Sequence, residues 1–276
     1  MSHLRYGRST FALEVVMIAA AIAFLFPVYA LVTLSFKDAG QIANTPLALP
    51  KPFTTDNFSN AWSSASLGEA LWSSLVVTVV SVLLLIVIGS VAAYWLARQK
   101  TRLSYGLYIL FLLGIVLPFQ LGTIPLFKLV GDLGWIGTYQ GLILFYTGIQ
   151  LPFTIFLYTG FIRALPSDYD DAAAIDGASH FQTFTKIVFP LLRPITGTVL
   201  ILNAVFVWND FFTPLLYMGG SEHETVPVRI FGFVGQYVSD YGLVFAGLVL
   251  AALPIIVIFL LLQRYVIRGF ASGLKG

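Results

Sequence analysis

Apolar residues run along this chain in long, nearly continuous stretches that are separated by polar segments. Six stretches have the length that a helix needs to cross a bilayer core of about 30 Å, which is roughly 18–20 residues. They are Phe11–Phe36, Ala70–Ala97, Leu103–Phe127, Tyr139–Phe161, Ile195–Met218 and Leu243–Tyr265. The pattern predicts an all-α polytopic membrane protein, with six transmembrane helices in a single domain over residues 1–276.

The polar segment between the fourth and fifth stretches carries the signals of a short helix. Ser167 can cap its start, and Asp168, Asp170 and Asp171 fall in the first turn, where the helix dipole favours negative charge. Gly177 can adopt a positive φ and is predicted to stop the helix.

A second short helix is predicted directly after Gly177. Ser179 and Gln182 have the spacing of a capping box, and Pro190 is predicted to end the helix. Phe181, Phe184 and Val188 are predicted to share one face. The result is a two-helix hairpin over residues 167–190, which either packs on its own membrane helices or receives a partner.

Several predicted spans contain proline, which removes a backbone donor and favours a kink. The prolines are Pro27, Pro118, Pro125, Pro152 and Pro254.

Composition agrees with a membrane protein and excludes other classes. Of the 276 residues 58% are hydrophobic and only 10% are charged, which is too apolar for a soluble domain. The net charge of +2 is too small to suggest nucleic-acid binding, and the absence of cysteine excludes disulfides and thiolate metal sites. The first apolar stretch is longer than the core of a signal peptide, so we expect it to be a retained span.

Lysine and arginine are unevenly distributed between the connecting segments, and this asymmetry predicts the topology. With the N-terminus inside, the cytoplasmic segments hold 11 of the 15 basic residues and the external segments hold 4. The eleven are Arg5, Arg8, Arg98, Lys100, Arg102, Arg163, Lys186, Arg193, Arg264, Arg268 and Lys275, and the four are Lys37, Lys51, Lys128 and Arg229. Both termini and the 167–190 hairpin are therefore predicted to be cytoplasmic.

Two external segments are long. Lys37–Glu69 is predicted to be a surface loop with a short amphipathic piece around Phe58 and Trp62. Gly219–Gly242 is either a solvated connection or long enough to reach a partner outside the membrane.

A polar group within a span is costly, and it is a functional hypothesis by default. Asp210 is the strongest case, and Asn209 lies beside it. Asn203 lies seven residues earlier, so Asn203 and Asp210 are predicted to share a helix face. These residues either line a hydrophilic translocation path or join neighbouring helices through hydrogen bonds.

The segment from Asp171 to Pro190 resembles a known motif. Asp171-Ala172-Ala173, then Gly177, then nine residues, then Ile187-Val188-Phe189-Pro190 is similar to the EAA motif of permease subunits of binding-protein-dependent ABC importers. Asp171 replaces the usual Glu, and Phe189 replaces the usual Leu. The resemblance implies that the residues which couple the permease to an ATPase are Asp171, Ala172, Ala173, Asp176, Gly177, Ile187 and Pro190.

Other pieces resemble the carbohydrate-uptake branch, in particular the maltose-type second permease. They are Ala92–Arg98, Leu117-Pro118, Trp208–Phe211, Gln263–Gly269 and the glycine-rich tail Gly273–Gly276. The resemblance implies a multi-pass subunit in the bacterial inner membrane whose partners are a second homologous permease, an ATPase dimer and a soluble substrate-binding protein. It also implies that the tail reaches toward the ATPase and that the substrate is a sugar or sugar derivative.

The source of energy distinguishes an ABC importer permease from the alternative functions. The chain lacks the phosphate-binding pattern G-x-x-x-x-G-K-[ST], so ATP and Mg²⁺ are expected on a separate ATPase subunit, and this chain is expected to be non-catalytic. An ion-coupled secondary transporter is the alternative, although the spans hold few acidic groups. An intramembrane enzyme is disfavoured because His3, His180 and His223 all lie outside the predicted spans.

Overall fold

The computed structural model describes the backbone of residues 8–64, 66–234 and 240–273, and the side chains of residues 10–64, 66–234 and 240–260. Within these ranges the helices are α1 (Arg8–Ser35), α2 (Ala39–Asn44), α3 (Asp56–Ser64), α4 (Leu67–Arg98), α5 (Arg102–Val116), α6 (Thr123–Asp132), α7 (Tyr139–Ala164), α8 (Asp168–Ile175), α9 (His180–Thr183), α10 (Phe189–Leu191), α11 (Arg193–Asn209), α12 (Phe212–Met218), α13 (Val226–Phe231) and α14 (Tyr241–Gly273). A 3-10 turn covers Phe119–Gly122, and a π-helical segment covers Phe184–Val188. Arg5 and the end of the predicted tail, Leu274–Gly276, lie outside the described residues.

Four of the helices are long and apolar enough to cross a membrane. They are α1, α4, α7 and α14, and the number rises to six when each of two bent helix pairs is taken as one span. The predicted class, an all-α polytopic membrane protein, is confirmed, and the upper count equals the number of predicted spans. The second bent pair comprises His180–Leu191 and Arg193–Asn209, however, and so differs from the predicted fifth span, Ile195–Met218.

The first bent pair is broken at a proline. The residues Arg102–Val116 and Phe119–Asp132 meet at 93°. Leu117, the residue before Pro118, has φ −70° and ψ 126°, the extended conformation that a following proline favours. Pro27, Pro152 and Pro254 lie inside continuous helices. The helix is therefore broken at Pro118, where a kink was predicted, whereas the helices that contain the other three prolines continue through them.

The predicted fifth span is also interrupted. Helix α11 ends at Asn209, Asp210 is extended with ψ 128°, and α12 begins at Phe212. Asp210 therefore caps the end of α11 instead of lying inside a continuous span. Its side chain and that of Asn203 nevertheless both bond to α7, at Tyr146 and Thr154, as the predicted shared face requires.

The chain divides into two compact units, one comprising residues 1–67 and 229–253 and the other residues 68–228 and 254–276. In the first unit, the predicted surface loop after α1 is organised by polar contacts. Lys37 is fully buried, and its ammonium donates to the carbonyl oxygens of Thr45 and Pro46. The amphipathic piece predicted around Phe58 and Trp62 is confirmed as helix α3.

Helix α2 in this unit begins at a charged cap. The Asp38 carboxylate accepts hydrogen bonds from the Gln41 side-chain amide and from the Gln41 backbone N–H, both at 2.8 Å. These bonds favour the ionised form, the side-chain bond most strongly, and they lower the pKa of Asp38 below its usual value.

The core of the second unit joins membrane helices to the hairpin. Apolar side chains from α4, α7 and α11 form one buried cluster, and the second arm of the 167–190 hairpin contributes Phe184 and Val188 to it. Helices α4 and α7 approach closely at Gly89, where an added Cβ would lie 2.5 Å from Cγ2 of Thr154. Thr154 itself is held because its hydroxyl accepts a hydrogen bond from Asn203 at 3.2 Å.

We expect Gly89→Leu to destabilise the protein because Thr154 cannot move aside without breaking its bond to Asn203. Overpacking of this kind costs about 2–3 kcal/mol. The matched control is Gly160→Leu on α7, where an added Cβ meets no atom within 4 Å. Thermal unfolding in detergent should show a lower midpoint for Gly89→Leu alone. Equal midpoints for both variants would contradict the close approach.

Candidate functional site

The first arm of the hairpin is α8, and it begins where the sequence predicted. Asp168, Asp170 and Asp171 occupy its first turn. Ser167 caps the helix through its carbonyl oxygen, which accepts from the backbone N–H groups of Asp170 at 2.8 Å and Asp171 at 3.1 Å. Its side chain makes no capping bond, so the predicted side-chain cap was wrong: Ser167 has ψ −16°, a helical conformation instead of the extended one that aims a capping hydroxyl at the turn.

Gly177 ends the first arm as predicted. It has φ +77°, a conformation that residues with a side chain rarely adopt. Its N–H donates to the Ala174 carbonyl at 3.1 Å, and the next N–H, that of Ala178, donates to the Ala173 carbonyl at 2.9 Å. This pair of bonds is a Schellman motif, which satisfies the last carbonyls of the helix. The elbow is closed by these two bonds and depends on the glycine.

The second arm starts with the predicted capping box. Ser179 accepts from the Gln182 N–H at 3.3 Å, and the Gln182 side chain accepts from the Ser179 N–H at 2.9 Å. Pro190 was predicted to end this helix, but the helical segment continues to Leu191. The preceding π-helical segment shifts the hydrogen bonding, so Pro190 lies in the first turn of α10, where no intrahelical N–H is needed. The turn instead comes at Leu192, with an angle of 75° between residues 180–191 and 193–209.

The second arm buries a different set of side chains from the one predicted. Phe184 and Val188 are buried in the core, as expected. Phe181, predicted to share their face, is 74% exposed and lies in the first turn of the arm, α9, before the π-helical segment. The aromatic ring of Phe181 therefore remains available on the surface.

Asp170 anchors the hairpin to the end of α4. Its carboxylate forms a salt bridge with Arg98 at 2.9 Å, and it accepts a hydrogen bond from the Tyr94 hydroxyl at 2.6 Å. The charged side chains of Arg98 and Asp170 are only 18% and 19% exposed, so solvent screens the pair less than it would a surface ion pair. We call Tyr94, Arg98 and Asp170 the clamp.

The clamp holds more than one side chain of the hairpin. The Tyr94 ring also packs on Phe184 in the second arm, with ring centroids 5.3 Å apart. Arg98 donates further hydrogen bonds to the carbonyl oxygens of Leu165 and Pro166, in the segment that leads into α8. Both arms and their entry segment are thus fixed to one turn of α4.

Sequence reasoning missed the clamp, although it quoted all three residues. Asp170 was assigned to the helix dipole and Arg98 to the topology count, because nothing local relates two residues 72 positions apart. The signal present was the i, i+4 spacing of Tyr94 and Arg98, which places both side chains on one face of α4.

The predicted coupling residues fall into an exposed and a covered group. Asp171, Ala172, Asp176 and Gly177 are exposed, whereas Ala173 is buried and Ile187 and Pro190 are half-buried. Two large apolar side chains, Ile175 at 87% and Phe181 at 74%, are also exposed on the hairpin. Because the core covers Phe184 and Val188 but not these two side chains, the uncovered apolar surface is the feature expected of a docking site.

Asn203 joins two helices inside the second unit. It is fully buried, and its amide donates to the Thr154 hydroxyl on α7 and, at 2.8 Å, to the Val199 carbonyl of its own helix. Asn209, by contrast, is exposed at the end of α11.

Asp210 stabilises the break between α11 and α12. One carboxylate oxygen accepts from the backbone N–H groups of Phe212 at 3.1 Å and Thr213 at 3.4 Å, which lie at the start of α12. The other accepts a hydrogen bond from the Tyr146 hydroxyl on α7 at 3.0 Å. The carboxylate thus supplies the acceptors that an interrupted helix inside a membrane requires.

Comparison with known proteins identifies the family. A family model described as "Binding-protein-dependent transport system inner membrane component" matches residues 85–272, which include the clamp, the hairpin and Asp210. The chain belongs to this family. It is therefore a multi-pass inner-membrane permease subunit of an ABC importer.

Relatives in this family align along nearly the full length of the permease. The melibiose/raffinose/stachyose import permease protein MelC of Bacillus subtilis is 38% identical over 96% of this chain and 97% of its own length. The multiple sugar-binding transport system permease protein MsmG of Streptococcus mutans is 37% identical over 94% of each chain. The predicted resemblance to the carbohydrate-uptake branch is confirmed.

Solved structures share the fold of the permease. One chain of a bacterial ABC transporter involved in the import of the acidic polysaccharide alginate matches with a TM-score of 0.84, at 19% identity, over 96% of this chain and 99% of that one. A second structure, the alginate transporter in complex with an alginate pentasaccharide-bound periplasmic protein, matches with a TM-score of 0.69 at 16% identity, over 93% of this chain and 94% of that one.

We expect Asp170→Ala to loosen the hairpin of the permease. The variant loses the salt bridge to Arg98 and the bond from Tyr94, and a hydrogen bond to an ionised group contributes about 1.5–3 kcal/mol. Hydrogen exchange of residues 168–176 should become faster. The matched control is Asp168→Ala, which removes an exposed carboxylate from the same first turn. Equal exchange in both variants would mean that the clamp does not hold α8.

We expect Asp210→Ala to lower stability by about 2 kcal/mol, because the start of α12 loses its cap and Tyr146 loses its partner. Asp210→Asn keeps an oxygen acceptor for both amides and should cost less than about 1 kcal/mol. Thermal unfolding of the purified permease measures both. An unchanged midpoint in Asp210→Ala, together with weaker substrate transport, would assign Asp210 to the translocation path instead.

Proposed function

We propose that the 167–190 hairpin is the surface on which a separate ATPase subunit docks, and that the clamp transmits the movement of that subunit to α4. The observation that carries this proposal is the division of the hairpin into an anchored and a free side. Asp170, Phe184 and Val188 are held by the membrane helices, while Asp171, Ala172 and Gly177 remain exposed.

The chemistry of the exposed side fits a protein partner. Ile175 and Phe181 offer apolar area, and the small residues beside them let another backbone approach. Asp171 and Asp176 add negative charge, which favours a partner site lined by arginine or lysine. In this assignment ATP and Mg²⁺ are bound and used by the partner.

The assembly follows from the same assignment. A second, homologous permease completes the translocation path, and a soluble binding protein delivers the substrate from outside. The periplasmic protein in the related alginate transporter supports the latter partner. The most apolar part of α1 has no residue buried within this chain, and such a surface suits lipid and a second membrane subunit.

The substrate class proposed for the permease is a sugar or sugar derivative. It rests on relatives named for melibiose, raffinose and stachyose import and for multiple sugar binding. Of the three polar residues predicted for the path, Asn209 is the exposed one and the best placed to meet a substrate, since Asn203 is buried between α7 and α11.

The mechanism combines these parts. The loaded binding protein docks outside, and ATP closes the ATPase dimer. The hairpin moves with the ATPase, and through the clamp and the shared core it carries α4, α7 and α11. The path then opens outward, and hydrolysis resets it. The orientation that this requires, with the hairpin and both termini in the cytoplasm, is supported by the excess of basic residues there.

We expect Gly177→Val to uncouple the permease while leaving it inserted and assembled. A β-branched residue resists φ +77°, so the elbow would shift, and the added side chain would stand on the docking surface. Substrate-stimulated ATPase activity of the assembled transporter should be lost.

The matched control is Gly134→Val. Gly134 also has a positive φ, +69°, with no atom near an added Cβ, but it lies between α6 and α7, away from the hairpin. This variant should keep stimulated ATPase activity. Wild-type activity in Gly177→Val, or equal loss in both variants, would refute the docking assignment.

A further inference from the structure

A polar cavity lies beside the clamp, within the second unit. Its volume is about 760 Å³. It is lined by the end of α4, the connection to α5 and the start of that helix on one side, and by the end of α7 and the entry to the hairpin on the other.

The cavity carries an excess of positive charge. Arg98, Lys100 and Arg163 line it, and none of its lining residues is acidic. Arg98 is neutralised by Asp170. The charges of Lys100 and Arg163 have no such partner among the salt bridges of the described residues. Two positive charges without a salt-bridge partner among the described residues therefore line the cavity, one on the α4–α5 connection and one at the end of α7.

The basic groups are arranged for an oxygen-rich anion. Arg163 is oriented by Tyr108, whose ring centroid lies 4.4 Å from the guanidinium carbon. A guanidinium held in this way presents a fork of donors that matches a phosphate. Thr101 and Ser104, at the N-terminal turn of α5, also line the cavity. The positive end of the helix dipole there adds to the positive electrostatic potential of the cavity.

The position of the cavity suits a lipid. It lies where three apolar membrane helices end, which is the level of lipid headgroups. Tyr105 on its wall is 65% exposed, so an aromatic ring lies at the edge of the polar cavity, where α5 begins. Basic pockets between membrane helices on the cytoplasmic side bind anionic lipid headgroups.

We propose that this cavity binds the phosphodiester headgroup of an anionic membrane lipid, which bridges Lys100 and Arg163 and braces the base of the hairpin. The proposal rests on the cytoplasmic orientation given above. A bound phosphate would join the α4–α5 connection to the end of α7, next to the carbonyl oxygens of Leu165 and Pro166 that Arg98 already holds. The lipid thus reinforces the clamp from the membrane side.

Native mass spectrometry of the assembled transporter tests the proposal. Phosphatidylglycerol is titrated against phosphatidylcholine, and the bound lipids are counted. We expect the wild type to prefer phosphatidylglycerol. The variant K100Q/R163Q should bind it about 25-fold more weakly, at about fivefold for each cation removed. The control K51Q/K128Q, which removes two exposed cations outside the cavity, should bind like the wild type.

Three results would overturn the proposal. The first is equal retention of both lipids by the wild type, and the second is equal weakening of phosphatidylglycerol binding in the control variant. The third is displacement of phosphatidylglycerol by millimolar inorganic phosphate or glycerol phosphate, which would identify a soluble anion as the ligand. The comparison of the two lipids on the wild type needs no variant, so it tests the proposal even if K100Q/R163Q fails to fold. Gly177 does not line the cavity, so the docking proposal and this one fail separately.

Discussion

The carboxylate of Asp170 is the constraint on which the functional part of this permease depends. A short helix of eight residues, α8, cannot hold its own position, because isolated helices of that length are marginal in water. The Asp170 contacts to Arg98 and Tyr94 fix it to the end of α4, and the Tyr94 ring fixes the second arm through Phe184. The hairpin is thus a projection of the membrane helices, with a free surface on its far side.

Interruptions of the membrane helices and of the hairpin each have an identifiable local cause. At Pro118 the break falls where the residue before proline prefers an extended backbone. At Asp210 a carboxylate caps the following helix and is itself bonded by Tyr146. In the second arm of the hairpin, a π-helical segment accommodates Pro190. At Asp210 the carboxylate keeps the backbone N–H groups of Phe212 and Thr213 paired where the helix is interrupted.

Local chemistry in the sequence was sufficient to predict the class, the hairpin, its glycine elbow and its capping box. These features depend on residues close together in the chain, such as Gly177 or the pair Ser179 and Gln182. The clamp, the cavity and the role of Asp210 were not predictable in this way. Each joins residues more than 60 positions apart, and a single sequence contains no record of which distant helix ends meet.

Two errors in the sequence analysis have local causes. Pro190 was expected to end a helix, and Phe181 was expected to face the core. The first expectation assumed regular α-helical spacing, which the π-helical segment at Phe184–Val188 breaks. Phe181 precedes that segment and lies in the first turn of the arm, where its ring is 74% exposed.

The central claim is that the hairpin and α4 move as one rigid body. The chain has no cysteine, so two introduced cysteines would be the only labelling sites in this subunit. Spin labels would be attached at Ile175, on the exposed side of the hairpin, and at Val91 on α4. Pulsed electron paramagnetic resonance would then measure their separation in the assembled transporter, without nucleotide and with ATP. The account predicts one narrow, unchanged distance in both states, and a broadened one in Asp170→Ala. A shift of about 5 Å or more, one helical turn, between the two states of the otherwise unaltered permease would contradict it.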